Sequence, residues 1–468
     1  MKTIVRKDVL QSETIAVSDG KGKSISYKAL AEKAEKLADH IEERSLVFML
    51  CDHQMETLEV IYMMFYLNRV PLLLSVDIDD KLLDNLISLY RPAYLYCPKG
   101  HKKTESFSLC QEFVLDRHVF LKSGFKTYDI HPDVALLLST SGTTGSAKLV
   151  KISYENLYDN TEYVVRHLAM EGGQRGLSPL PVNHTYGLAF CLWHWHCGAT
   201  LYVSSDEMVI GKKFKELFIR AKINNFAATP YVYDMLKKVC FWDEQTLENL
   251  NYAMSGGGQI SEQNQIELVN LMKNKFWIMY GQTECTCIIA GMNFDVNSIK
   301  QRAVGKAFGN IEPTIDSDTG ELIIKSKSVC MGYANGWKDL ANGDENFGIM
   351  HTGDVAHIDE DGCIYLHGRL TRYVKILDKR VSLEDLEQYL YNEFSDAEFA
   401  CVGEDNHVVI GYTGADRNRD DMIKTLLDRS MKIPKKMIAC YWIEEIPRYN
   451  TGKVNYKKIE EMADGHQE

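Results

Sequence analysis

The chain reads as an α/β protein: a large N-terminal domain of parallel α/β sheets, a small antiparallel β subdomain, and a small α+β C-terminal domain. Three observations predict this. Short apolar runs alternate with helix-length amphipathic stretches up to about residue 280, the signature of βαβ units. From Gly320 the pattern changes to short alternating strands separated by Gly and Asp/Asn turns. After Arg369 a compact mixture of helix and strand begins, which sets domains at 1–369 and 370–468.

Taken in order, residues 26–43 carry Leu30, Ala34, Leu37 and Ile41 as one helical stripe behind a capping Ser26. The apolar run 46–51 reads as a buried strand, 55–67 as a helix and 70–74 as a strand. Residues 81–90 then read as a helix and 93–96 as a strand. The alternation resumes at Ser153, a residue suited to an N-cap. Helices near 212–222, 230–238 and 262–273 precede strands at 226–228, 252–254 and 277–280. Alternating strands at 321–325 and 363–367 make the antiparallel subdomain, and the C-terminal part offers helices at 382–393 and 420–430 with strands at 399–402 and 408–412.

Composition excludes several classes of function. The chain has 468 residues and a net charge of −12, which disfavours unspecific binding to nucleic acid or an anionic membrane. The apolar run 60–67 is too short to span a bilayer, and the first residues lack a signal peptide's apolar stretch, so a cytoplasmic protein is expected. Twelve cysteines lie scattered, with the nearest pair, Cys285 and Cys287, outside any Cys/His cluster; structural thiols are the expectation.

The densest chemical signal comes after the strand at 136–138: Ser139, Thr140, Ser141, Gly142, Thr143, Thr144, Gly145, Ser146, Ala147, Lys148. Glycines let backbone N–H groups converge on an anion, hydroxyls add donors, and Lys148 adds a point charge. The bland alternative is a solvated Ser/Gly loop. No Gly-Lys-[Ser/Thr] follows at the required spacing, so this is not a Walker A loop. Tyr280, Gly281, Gln282, Thr283 and Glu284 end another apolar run, where α/β ligand sites gather. Glu284 suits Mg²⁺, which takes oxygen ligands, or else complements the dipole of a helix N-terminus. Gly256, Gly257 and Gly258 permit close approach to a flat ligand, or form a loose turn. Asp354 in His-Thr-Gly-Asp suits a ribose, or sits in a turn. His184 lies in an apolar stretch where a core histidine is the ordinary reading.

These segments, in this order, resemble the adenylate-forming superfamily of acyl-CoA synthetases, adenylation domains and luciferases, from Ser26-Tyr27 to Lys453. The resemblance implies that Thr140–Lys148 clamps the β- and γ-phosphates of ATP and that the glycines line adenine. Tyr280 would stack on adenine, Thr283 would bond the α-phosphate and Glu284 would bind Mg²⁺. Asp354 and Arg369 would contact ribose or phosphate, and Lys375 falls in the motif beyond them. His184 would border the acyl pocket, and Lys453, in Pro-x-x-x-x-Gly-Lys, would bridge the carboxylate substrate and the α-phosphate. The implied reaction activates a small carboxylic acid to acyl-AMP with release of pyrophosphate. The C-terminal domain would then rotate about Thr371, and the acyl group would pass to the pantetheine thiol of CoA or of an acyl carrier protein.

Departures fall mostly in the moving parts. Thr371 replaces the usual hinge Asp or Lys, Asp378 replaces a glycine of the pantetheine channel, and Ala147 and Leu149 replace the loop's common proline and glycine. Amino-acid adenylation domains carry an aspartate for the α-amine near His184; none lies between Pro181 and Trp195, which points to an acid without an α-amine. The alternatives are an amino-acid adenylation enzyme loading a carrier protein and a non-catalytic nucleotide-binding homologue.

Overall fold

The computed structural model describes residues 6–102, 112–139, 148–204, 211–293, 303–377, 379–449 and 453–465. The chain divides into two compact units, one of residues 1–313 and 324–350 and the other of 314–323 and 351–468.

The larger unit holds two sheets. One is built on β1 (Ile15–Ser18), β2 (Ser24–Ser26), β10 (Arg175–Leu177), β11 (Thr200–Tyr202), β12 (Asn225–Ala228), β13 (Tyr252–Gly256), β14 (Phe276–Gln282), β15 (Cys287–Asn293) and β16 (Ala303–Ala307). Its order is β16-β15-β14-β13-β12-β10-β11-β1-β2. The other is built on β3 (Leu46–Cys51), β4 (Val70–Ser75), β5 (Tyr94–Pro98), β6 (Glu112–Val114), β7 (His118–Lys122), β8 (Val134–Ser139), β9 (Leu149–Ser153) and β19 (Tyr333–Ala334). It runs β19-β9-β8-β4-β3-β5-β7-β6.

The βαβ expectation holds where helices intervene: β3 lies parallel to β4 and β5, and β12, β13 and β14 lie parallel in turn. Strands β7 on β5, β9 on β8 and β15 on β14 pair antiparallel; β14 and β15 are joined directly by residues 283–286, too short a link for the long crossover that a parallel return needs. The sheets are therefore mixed rather than purely parallel. Helix Tyr27–Ala38 starts at Ser26, whose side chain accepts from Ala29 N, and stops before Ile41, which is buried beyond its end. Ser153 caps Tyr154–His167 in a full capping box with Asn156. Helix Thr185–Cys197 escapes an amphipathic reading because it is buried nearly all round, Trp193 and Trp195 fully so.

The antiparallel subdomain expected from Gly320 is seen in β17 (Glu312–Ile315), β18 (Glu321–Lys325), β20 (Ile349–Ile358) and β21 (Cys363–Arg369), which neighbour one another in that order. Strands β20 and β21 pair antiparallel, as do β22 (Tyr373–Ile376) and β23 (Lys379–Ser382). Beyond them, helix Leu383–Glu393 is capped by the Ser382 side chain, and β24 (Phe399–Glu404) pairs antiparallel with β25 (His407–Tyr412). Strand β26 (Ile438–Trp442) joins β25 in parallel, and helix Tyr456–Gly465 comes after it; the sequence reading found neither. In the division into two units, residues 351–369 belong with the residues that follow them. Among the described residues no helix is long and apolar enough to cross a membrane.

Candidate active site

Tyr280 lies near the C-terminal end of β14 and is largely buried, and Gly256 closes the neighbouring parallel strand β13, registered against Met279. Both segments therefore emerge together at the C-terminal end of parallel strands, where ligands of α/β folds bind. A Cβ on Gly256 would lie 3.0 Å from the Met279 carbonyl and 3.1 Å from Tyr186 Cε1, while Gly257 holds φ +80°. Close approach and backbone conformation require these two glycines; the run is not merely a loose turn. The Ser255 hydroxyl beside them is buried and has no hydrogen-bond partner among the described residues.

The chain then reverses sharply. A bulge separates Tyr280 from Gly281, and a Cβ on Gly281 would sit 1.5 Å from the Cys287 carbonyl oxygen. Residues Thr283–Cys285 form a single 3-10 turn, and Thr286 and Cys287 take φ of 58° and 126°. Glu284 is thus presented by a hairpin reversal, and the expectation of a helix N-terminus behind it is not met: strand β15 begins before a helix could. The turn is tied down by Thr286 N to Thr283 O at 3.0 Å and by the Thr286 hydroxyl to Ser328 O at 2.6 Å. Burial pushes the Cys285 and Cys287 thiols well above their ordinary range, so they stay protonated and are poor metal ligands.

Three residues missed by sequence reasoning complete this corner. Thr185, the first residue of its helix, shares a 2.7 Å hydrogen bond with the Thr283 hydroxyl. Tyr333 donates its hydroxyl to Glu284 Oε1 at 3.0 Å, and Lys148 Nζ lies 3.5 Å from its ring centroid. Burial, then the Glu284 charge, raises the Tyr333 phenol well above its usual range, so it stays a donor. Lys151 is fully buried, with Nζ 2.9 Å from Glu345 Oε2 and 3.3 Å from the Asp339 carbonyl. Thr185 lay within the stretch around His184, but neither Tyr333 nor Lys151 carries a local signal: their partners are remote in sequence.

His184 occupies the N-cap of helix Thr185–Cys197 without a side-chain capping bond, half-buried rather than in the core. Gly187 lets the helix approach the preceding turn, since a Cβ there would lie 2.3 Å from the Pro181 carbonyl. The phosphate loop itself, Thr140, Ser141, Gly142, Thr143, Thr144 and Gly145 among its residues, lies outside the described residues. Its flanks do not: Ser139 of β8 pairs antiparallel with Leu149 of β9.

The remaining expected residues lie in the smaller unit. Asp354 and Arg369 face each other across β20 and β21, with Arg369 Nε 2.7 Å from Asp354 Oδ1 and its guanidinium also donating to Thr352 O. Lys375 is exposed, its backbone N–H donating to Asp405. Lys453 is exposed, and its carbonyl accepts from Tyr449 N at 2.8 Å. Asp378 lies outside the described residues, and Thr371 sits in the 3-10 turn Leu370–Arg372.

The corner's donors are carboxylate and hydroxyl oxygens, which suit Mg²⁺ carried in on phosphates. Among the described residues no cluster of three His, Cys, Asp or Glu could cage a metal alone, so one carboxylate with phosphate co-ligands is the arrangement the residues fit.

A family model described as AMP-binding enzyme matches residues 6–334. A D-alanine--D-alanyl carrier protein ligase of Staphylococcus epidermidis is 24% identical over 479 residues, covering 97% of each chain. Another ligase of that name, from Staphylococcus haemolyticus, is 27% identical over 347 residues, 70% of this chain and 71% of that one. The o-succinylbenzoate CoA synthetase of Bacillus subtilis with its acyl-adenylate superposes with TM-score 0.78 at 18% identity, covering 96% and 95% of the two chains. ATP-bound MatB from Rhodopseudomonas palustris superposes with TM-score 0.76 at 19% identity, covering 99% and 98%.

Proposed function

The chain belongs to the AMP-binding enzyme family, and on that premise we propose that it activates a small carboxylic acid with ATP and passes the acyl group to a pantetheine thiol. The observation that carries the reading is the corner at Glu284: Thr283 and Glu284 on one tight turn, held by Thr185 and Tyr333 with Lys148 alongside, at the strand ends where Gly256 and Tyr280 emerge.

The chemistry needs such a corner. A carboxylate attacking the α-phosphate brings like charges together, and the transition state spreads charge over phosphoryl oxygens. The carboxylate oxygen bonds to the α-phosphorus as the bond to the pyrophosphate oxygen breaks, and both electrons leave with pyrophosphate. Mg²⁺, when bound, neutralises part of the phosphate charge. Thr283 donates a hydrogen bond to the α-phosphate, Lys148 and the loop from Thr140 steady the departing pyrophosphate, and Gly256 to Gly258 with Tyr280 hold adenine. Asp354 and Arg369 take the ribose side. Lys453 stabilises the transition-state charge in the first step; the region beyond Arg369 then turns about Thr371, and the thiol displaces AMP from the acyl carbon.

Two relatives bear names that specify D-alanine and a carrier protein, which favours a carrier-borne pantetheine over CoA as acceptor. They also favour the amino-acid alternative, whereas the neutral Thr185 and the absence of a carboxylate between Pro181 and Trp195 favour an acid without an α-amine. We keep the amine-free acid as the first reading. We place the enzyme in the cytoplasm, since among the described residues no cysteine is in a disulfide.

Pyrophosphate exchange with D-alanine, L-alanine, lactate, propionate and longer acids tests both points. Exchange with an amine-free acid supports the first reading, and exchange with D-alanine alone transfers it to the amino-acid alternative. ATP binding without exchange for any acid would leave a nucleotide-binding protein without turnover.

A further inference from the structure

The segment that carries Tyr333 is laced to both sheets of the larger unit. On one side Cys330 N donates to the Glu284 carbonyl at 2.8 Å, and Ser328 O receives the Thr286 hydroxyl. On the other, Met331 N donates to Lys151 O and Lys151 N to Gly332 O, both at 2.9 Å, and Tyr333 registers against Val150 of β9. The ring is therefore fixed from two directions, with a carboxylate at its hydroxyl edge and an ammonium on its face.

On the adenylation reading above, we propose that Tyr333 is a positioning residue that holds Glu284 and Lys148 apart and aims each at its own part of the nucleotide. A lysine and a glutamate left free to meet in a half-buried cleft pair with each other, and each is then lost to the ligand. The ring offers Lys148 a cation–π seat that phosphate oxygens readily outcompete. The hydroxyl occupies one lone-pair region of Glu284 Oε1 and fixes the carboxylate plane, leaving Oε2 for a phosphate-borne cation. Tyr333 acts through its two neighbours, Glu284 and Lys148.

The test is calorimetric binding to the full chain of AMP, of ATP with EDTA, and of ATP with a Mg²⁺ series. Tyr333→Phe keeps the ring and removes the hydroxyl, and is expected to weaken MgATP about tenfold while leaving AMP unchanged, with excess Mg²⁺ restoring much of the loss. Tyr333→Leu, which removes the ring as well, is expected to weaken ATP in EDTA too, since Lys148 is then free to pair with Glu284. A phenylalanine variant that binds MgATP like the wild type, or that loses AMP in the same proportion, overturns the inference. A wild-type chain that binds AMP and MgATP alike without regard to Mg²⁺ overturns the adenylation reading instead.

Discussion

Lys151 offers a sharp test of how the Glu284 corner is built. Its ammonium is wholly buried, whereas the carboxylate of its partner Glu345 is 48% exposed. Removing either side chain breaks the same 2.9 Å bond, but the group left behind differs. In Lys151→Met the stranded group is a carboxylate that water can reach. The variant loses a charge-assisted bond and two weaker ones to the carbonyls of Asp339 and Asn342 at 3.3 and 3.4 Å, but no longer carries a buried charge. Those terms largely offset, and the expected net loss is about 1–2 kcal/mol. In Glu345→Ala the stranded group is the buried ammonium with only the two long carbonyl contacts, and the expected loss is about 3 kcal/mol. Urea unfolding at pH 7 measures both, and amide exchange at Met331 to Ala334 reports whether the strand beside Lys151 opens first. A lysine variant that costs more than the glutamate variant, or a glutamate variant that costs less than about 1 kcal/mol, would refute the reasoning from burial asymmetry.

Other expectations rest on the same geometry. His118 is fully buried between Glu56 Oε2 at 2.9 Å and Asp52 Oδ2 at 3.1 Å; burial lowers its pKa, but those two partners outweigh it and raise it to about 9. The stability it contributes is complete below its unfolded pKa near 6.5 and is lost as pH rises through 9, by about 3 kcal/mol at most. For Asp52 and Glu56 burial raises the pKa, but the His118 hydrogen bond and further donors prevail and lower both, so their contribution disappears on acidification below pH 4 to 5. Urea midpoints should therefore fall between pH 6.5 and 9 in the wild type and not in His118→Gln; equal slopes would exclude the cluster as the cause. Gly281→Ala places a methyl carbon 1.5 Å from a backbone carbonyl, so β14 and β15 must separate, and pyrophosphate exchange should fall below about one hundredth of wild type. Thr185→Val keeps volume and removes the partner of Thr283; adenylation should slow about fivefold with an unchanged melting temperature, and an unaltered rate would detach Thr185 from the site. Lys453→Ala should abolish pyrophosphate exchange yet still hydrolyse or transfer added acyl-AMP; surviving exchange would remove the lysine from the first step.

Much of this chain was legible because its signals are local. A serine before an apolar stripe marks a helix start wherever the helix lies, and Ser26, Ser153 and Ser382 each cap one. Gly281 is written into a motif because a neighbouring backbone leaves no room for a side chain. The order of the motifs carried the family, which the match over residues 6–334 then established. The buried helix Thr185–Cys197 gave no such signal, since a helix apolar on every side has no amphipathic period to detect. Strand direction was also hidden, because an apolar run reads the same whether its neighbour is parallel or antiparallel.

The sequence alone determined that a phosphate-clasping loop, a glycine-rich strand end and a Thr-Glu turn occur in one chain in family order, since each depends on residues adjacent along the backbone. Only the tertiary structure decided that Thr185 meets Thr283, that Lys148 lies on the Tyr333 ring, and that this ring also binds Glu284. Those contacts join residues far apart in the chain and drawn from both sheets. They form because strands β9, β14 and β19 bring three distant segments to one place, and no local propensity records which distant segment a strand will lie beside.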